Sequence, residues 1–142
     1  MKVQLALLSE STSLDRNTNK LSIFNVVDRW ASLTFPLWIP SVSIVIVLVR
    51  ENEPPNLVGK LQAKIGDTIA GEREINIKFN ANNLAKMILN TNITIPAPGE
   101  VVFSLAVPDQ TVELLRAPVQ QLRPAHLKTS DSQLAAKSDS AS

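Results

Sequence analysis

Side chains able to carry covalent or acid–base chemistry are scarce in this chain, which has one histidine, His126, and no cysteine or tyrosine. A Ser-His-Asp arrangement needs its histidine held by packing against the serine. His126 is flanked by Pro124 and Lys128 in a terminal segment with little apolar content, so nothing there can hold it. Two carboxylates can perform acid–base work without histidine, and the pairs close in sequence are Glu51 with Glu53 and Glu72 with Glu74. Both pairs fall at strand ends, in loops where charges are ordinarily just solvated. Four scattered glycines leave no phosphate-cradling loop. The absence of cysteine excludes disulfides, thiolate metal sites and thiol nucleophiles together. No catalytic, cofactor or metal residue is assigned, and the expectation is a protein that is not an enzyme.

What remains is binding by loops and sheet edges, which depends on the strands that position them. Val3, Leu5 and Leu7 alternate with Gln4, Ala6 and Leu8, the period-two pattern of a strand, and a polar stretch over 9–19 ends it. Further strands are expected over about 20–28, 42–50, 57–65, 73–79, 87–95, 101–107 and 111–122. The second has Leu21, Ile23 and Asn25 on one face and Phe24 and Val26 on the other, so burial on both sides is expected. The 42–50 strand is apolar on both faces and belongs in the middle of the core. Leu57 to Ile65 alternates most clearly, and its partner turns Ile75, Ile77 and Phe79 inward after a loop of moderate length opened by Gly66-Asp67. Over 80–86 a brief helical turn is expected, with Asn83 as its N-cap. Pro118 suits an edge strand, where a missing amide donor is harmless.

About eight strands with almost no helix imply a single-domain, all-β antiparallel β-sandwich, immunoglobulin-like or C2-like, over residues 1–123. Residues 124–142 cannot bury enough apolar surface to offset their ordering entropy and are expected to form a disordered tail.

In a sandwich of this kind alternate loops share an end. Loops 9–19, 51–56, 80–86 and 108–110 fall together on this counting, with Glu10, Asp15, Glu51, Glu53, Asn80, Asn82, Asn83 and Asp109. Such oxygen ligands suit calcium, although no D-x-D-x-D spacing occurs, and this end is the alternative reading: a small-ligand or carbohydrate module. The opposite end gathers loops 29–40, 67–72 and 96–100. There Trp30, Phe35, Trp38 and Ile39 either plug the open end of the sandwich or make a contact surface for a protein partner or a second copy. Trp38 is the expected exposed anchor. Asn92-Ile93-Thr94 matches the glycosylation triplet by chance, within a strand.

The net charge of +1, with no run of Lys or Arg to neutralise successive phosphates, speaks against nucleic acid. Val3 to Leu8 is too short and too interrupted for a signal peptide and lacks a small-x-small cleavage pattern. The longest apolar run, Ile44 to Val49, is far below the ~20 residues of a membrane helix. A cytoplasmic location without membrane attachment is the expectation.

The order of features also resembles a known family. An opening Met1-Lys2-Val3-Gln4-Leu5-Ala6-Leu7-Leu8, then Lys20-Leu21-Ser22-Ile23-Phe24-Asn25-Val26 before an aromatic, proline-rich loop, is similar to a family of small bacterial proteins of unknown function predicted to be β-sandwiches. Ile95-Pro96-Ala97-Pro98-Gly99-Glu100-Val101-Val102-Phe103-Ser104-Leu105 and Leu115-Arg116-Ala117-Pro118-Val119 fit the same pattern, which covers residues 1 to about 122. Members often carry Cys-Asp where this chain has Ser9-Glu10, and an aromatic at Val101 or Val102. The resemblance implies a fold and no mechanism.

Overall fold

Period-two alternation sorts the apolar residues into two packed sheets. The computed structural model describes residues 1–123; the expected tail, 124–142 with His126, lies outside the described residues. One sheet has the order β2 (Leu21–Val27), β1 (Lys2–Leu14), β4 (Leu37–Val49), β7 (Leu84–Ile95). The other has the order β3 (Trp30–Ser32), β9 (Gln110–Gln121), β8 (Gly99–Val107), β5 (Asn56–Ile65), β6 (Thr68–Lys78). The chain is all-β, a sandwich as the alternation predicts, with no helix among the described residues. Its core lies between the sheets, where Ile44, Ile46 and Leu48 of β4 join Ile77, Phe103 and Leu105 in one buried cluster. Each such side chain contributes roughly 1.5–3 kcal/mol by leaving water.

Several local expectations are corrected. Segment 29–40 is not all loop: Trp30–Ser32 pairs parallel with Val119–Gln121, and β4 starts at Leu37, accommodating Pro40 in a register shift between Ile39 and Val42. That makes nine strands among the described residues, and β9 has a single neighbour only up to Pro118. No loop of moderate length joins β5 to β6. Gly66-Asp67 alone makes the turn, with Gly66 at a φ of 59°, a conformation that glycine adopts without a Cβ clash. The helical turn over 80–86 is absent as well. Asn83, at a φ of 61°, donates its N–H to Asn80 O at 2.9 Å, and Asn80 Oδ1 accepts from the N–H of Asn82 and Leu84, so this segment is an Asn-built reversal instead of a capped helix.

The first strand differs most. β4 lies between β1 and β7, and its even-numbered residues point toward the second sheet. Val45 must then point away, yet it is 0 % exposed and has no place in the interlayer cluster. Ser9 and Ser43, on the same outward face, are buried too. Their cover is the far half of the β1–β2 hairpin. Ser9 Oγ donates to Ser11 O at 3.2 Å, a contact that an extended strand does not offer, and Asn25 opposite has a φ of 56°. The hairpin therefore bends at Glu10 and Asn25, whose side chains meet at 3.0 Å. Beyond the bend it doubles back as an arm over its own sheet, so that Leu14 and Asn19 line a cleft with Val47, Lys86 and Ile88. Thr12, Leu21 and Ile23 are the half-buried side chains of the arm. Phe24 and Val26 are 50 % and 61 % exposed, so the two-sided burial expected for this strand is not found.

Candidate functional site

The aromatic segment is positioned by its pairing with two other strands. Leu37 and Ile39 pair with the buried Ile95 and Ile93, so alternation turns Trp38, opposite Thr94, to the outward face. Trp38 is 63 % exposed, whereas Trp30, Phe35 and Ile39 are half-buried against the core. Trp30 and Ile39 share a cleft with Glu10, Val26 and Ser41. The four residues singled out in the sequence thus divide into three that are half-buried against the core and one that projects.

At the opposite end, loops 51–56, 80–86 and 108–110 do come together. Arg50 N–H donates to Asn83 O at 2.8 Å, Phe79 N–H donates to Pro55 O at 2.9 Å, and Glu53 lines a cleft with Asp109. Loop 9–19 joins them by its tip alone, since the arm brings Leu14 and Asn19 into a cleft with Asn80 and Leu84. β1 starts at this end and runs away from it, which leaves Glu10 at the hairpin bend. Asp15 serves the hairpin tip, where it accepts from the N–H of Asn17 at 2.9 Å and of Thr18 at 3.3 Å. Those hydrogen bonds hold its carboxyl below the usual range.

Glu51 and Glu53 have a different partner from the one weighed for them. The Met1 ammonium lies 2.7 Å from Glu51 and 2.8 Å from Glu53, with its own side chain buried. Burial works against the charge on the ammonium, but the hydrogen bonds and charges of the two carboxylates outweigh it and raise its pKa. Glu53 moves the opposite way, lowered first by its hydrogen bond to the ammonium. Among the described residues no three acidic, histidine or cysteine side chains converge on a point that a metal ion could occupy. Glu72, of the other acidic pair, faces outward to Lys60 at 3.1 Å and Gln62 at 2.7 Å.

One site was missed in the sequence. Among the described residues β6 and β7 are each an edge strand of their sheet and run side by side, and between them a cavity of about 50 Å³ reaches Ile44, Leu61, Ile93 and Phe103 in the core. Gly71, Glu72, Arg73, Thr91 and Asn92 line it too. The signal was available: carried back from Ile77 and Ile75, the inward parity of β6 falls on Arg73 and Gly71.

No family model matches this chain, and no curated protein matches it either. No helix among the described residues is long and apolar enough to cross a membrane.

Proposed function

We propose that the protein is a non-enzymatic β-sandwich binding module of the bacterial family its strand pattern resembles, acting in the cytoplasm by docking to another protein. The observation that carries the reading is Trp38, a large aromatic 63 % exposed on a strand whose backbone is fixed by pairing with β7. An aromatic already held in one place loses little conformational freedom on docking, and tryptophan is over-represented among residues that dominate interface energy. The two outer faces also differ. The second sheet presents ion pairs, Lys60 with Glu72 and Arg116 with Glu100 and Glu113, which keep it solvated. The second sheet also exposes Val58 and Ile69, while the first sheet's side exposes Leu5, Phe24, Val26 and Trp38. Its β2 edge has no charged residue between Leu21 and Val27 to discourage pairing with another chain.

Trp38→Ala tests the proposal. The substitution should leave stability within about 0.5 kcal/mol, as for an exposed side chain. It should weaken capture of the partner in a pull-down or, where the partner is a second copy, shift sedimentation over a concentration series toward monomer. Identical partners and an identical assembly state for the two proteins would end the reading.

A further inference from the structure

The crevice between β6 and β7 has a composition that the rest of the sandwich does not explain. Cross-strand partners share a face, so Leu61 opposite Arg73 and Ala63 opposite Gly71 put both β6 residues on the inward side, continuing the row of Ile75 and Ile77. On β7, Thr91 pairs with the buried Val42 and so takes an inward position as well. Three adjoining inward positions thus lack an apolar side chain over an apolar floor. A Cβ built on Gly71 would meet no atom within 4 Å, which places open space directly above that floor. Arg73 cannot fill the gap, because burying an unpaired guanidinium is far too costly, and it reaches out across the mouth to Asn90 O at 3.4 Å.

The charges at the mouth are not balanced. Glu72 lines the cavity and Glu74 shares a neighbouring cleft with Arg73, but cross-strand alternation turns both carboxylates to the outer face, where Glu72 is engaged by Lys60 and Gln62. Among the described residues Arg73 has no carboxylate within ion-pair distance. The Thr91 hydroxyl donates its proton to Asn92 O at 3.2 Å and keeps its lone pairs at the same mouth.

We propose that this crevice is a binding site for a short-chain monocarboxylate, its apolar tail in the cavity over Ile44, Leu61 and Phe103 and its carboxylate on Arg73 at the mouth. At about 50 Å³ the cavity holds roughly four groups of water size, each needing about 10–15 Å³. That sets the ligand at about four to six carbons with the carboxylate included. A guanidinium meets a carboxylate with two parallel N–H donors, which fixes the orientation of the acid as well as its charge. The site is separate from Trp38 and stands whether or not that residue anchors a partner.

The experiment titrates the full chain with hexanoate, hexanamide and acetate up to about 10 mM, followed by backbone amide shifts and by the melting temperature, since a ligand of the folded state must raise it. Hexanoate should give saturable shifts confined to the amides around 61–63, 71–73 and 91–93 and raise the melting temperature. Hexanamide, without the charge, should bind about fivefold to tenfold more weakly, and acetate, without the tail, should give no saturable change. Arg73→Gln alters only an exposed side chain and should bring hexanoate down to the affinity of hexanamide. Gly71→Leu fills the space above the floor and should remove both; its own melting curve reports whether it folds, and Arg73→Gln decides the matter if it does not. The proposal fails if hexanoate gives no saturable shift, if its shifts map elsewhere, or if hexanamide binds as well as hexanoate.

Discussion

Val45 should behave as a core residue although it points away from the core. Replacing it with Ala removes two methyl groups from a side chain that is 0 % exposed. At about 0.8 kcal/mol for each buried group the lost transfer term is about 1.6 kcal/mol, and the void left under the arm adds to it, so the expected loss is about 1.5–3 kcal/mol. On an open sheet face the same change would cost no more than about 0.5 kcal/mol. Urea melts of the wild type and of Val45→Ala measure the difference. The arm itself is tested with Ile23→Ala, singly and combined with Val45→Ala. If Ile23 covers the outward face, the double variant should lose less than the sum of the singles by about 0.5 kcal/mol or more, because the second deletion enlarges a void already made. A loss below about 0.5 kcal/mol for Val45→Ala, or strict additivity, would refute the arm as the cover.

Asn25→Val puts a β-branched residue at a φ of 56° and should destabilise the hairpin bend by about 1–3 kcal/mol, read from the same melts. The N-terminal clamp predicts a stability optimum. The Glu53 pKa is lowered and the ammonium pKa raised, so their contribution is complete between the ordinary values of 4.5 and 8.0 and is lost as pH falls through the folded pKa of Glu53 or rises through that of the amine. Melting temperatures from about pH 3 to pH 10 should show both limbs, and Glu53→Gln should flatten them. At Gly59 a Cβ would stand 2.9 Å from Leu105 Cδ1 and 3.1 Å from Ile77 Cδ1, so Gly59→Val should overpack the core and cost about 1–3 kcal/mol in denaturant melts.

The sandwich was legible because half-buried strands declare themselves by period two, and most strands here do. Loop ends were legible for the same reason, since strand reversal alone assigns 51–56, 80–86 and 108–110 to one end. What escaped were features that alternation does not encode. A bend made by one left-handed Asn25 sends the hairpin back over its own sheet, and nothing in Ser9 to Asn19 distinguishes a continuing strand from a polar loop. The pairing of Trp30–Ser32 with Val119–Gln121 joins segments with no local signal in common. The Met1 ammonium is absent from any reading of side chains, so Glu51 and Glu53 looked unattached. The crevice is marked in the sequence only by the inward parity of Arg73, because Ala70 and Gly71 blunt the alternation of β6 before it.

The order in which the strands leave the ribosome bears on how this chain folds. β1, β2, β4 and β7 all lie before residue 96, so the whole first sheet can pair before β8 and β9 have emerged from the ribosome. Its inward face then has no Val101, Phe103 or Leu105 to cover it. A nascent chain of that length presents Ile44, Ile46 and Leu48 to water, a surface suited to a chaperone or, at high concentration, to aggregation. The ladder between β3 and β9 closes across almost the entire domain, and contacts so distant in sequence form slowly.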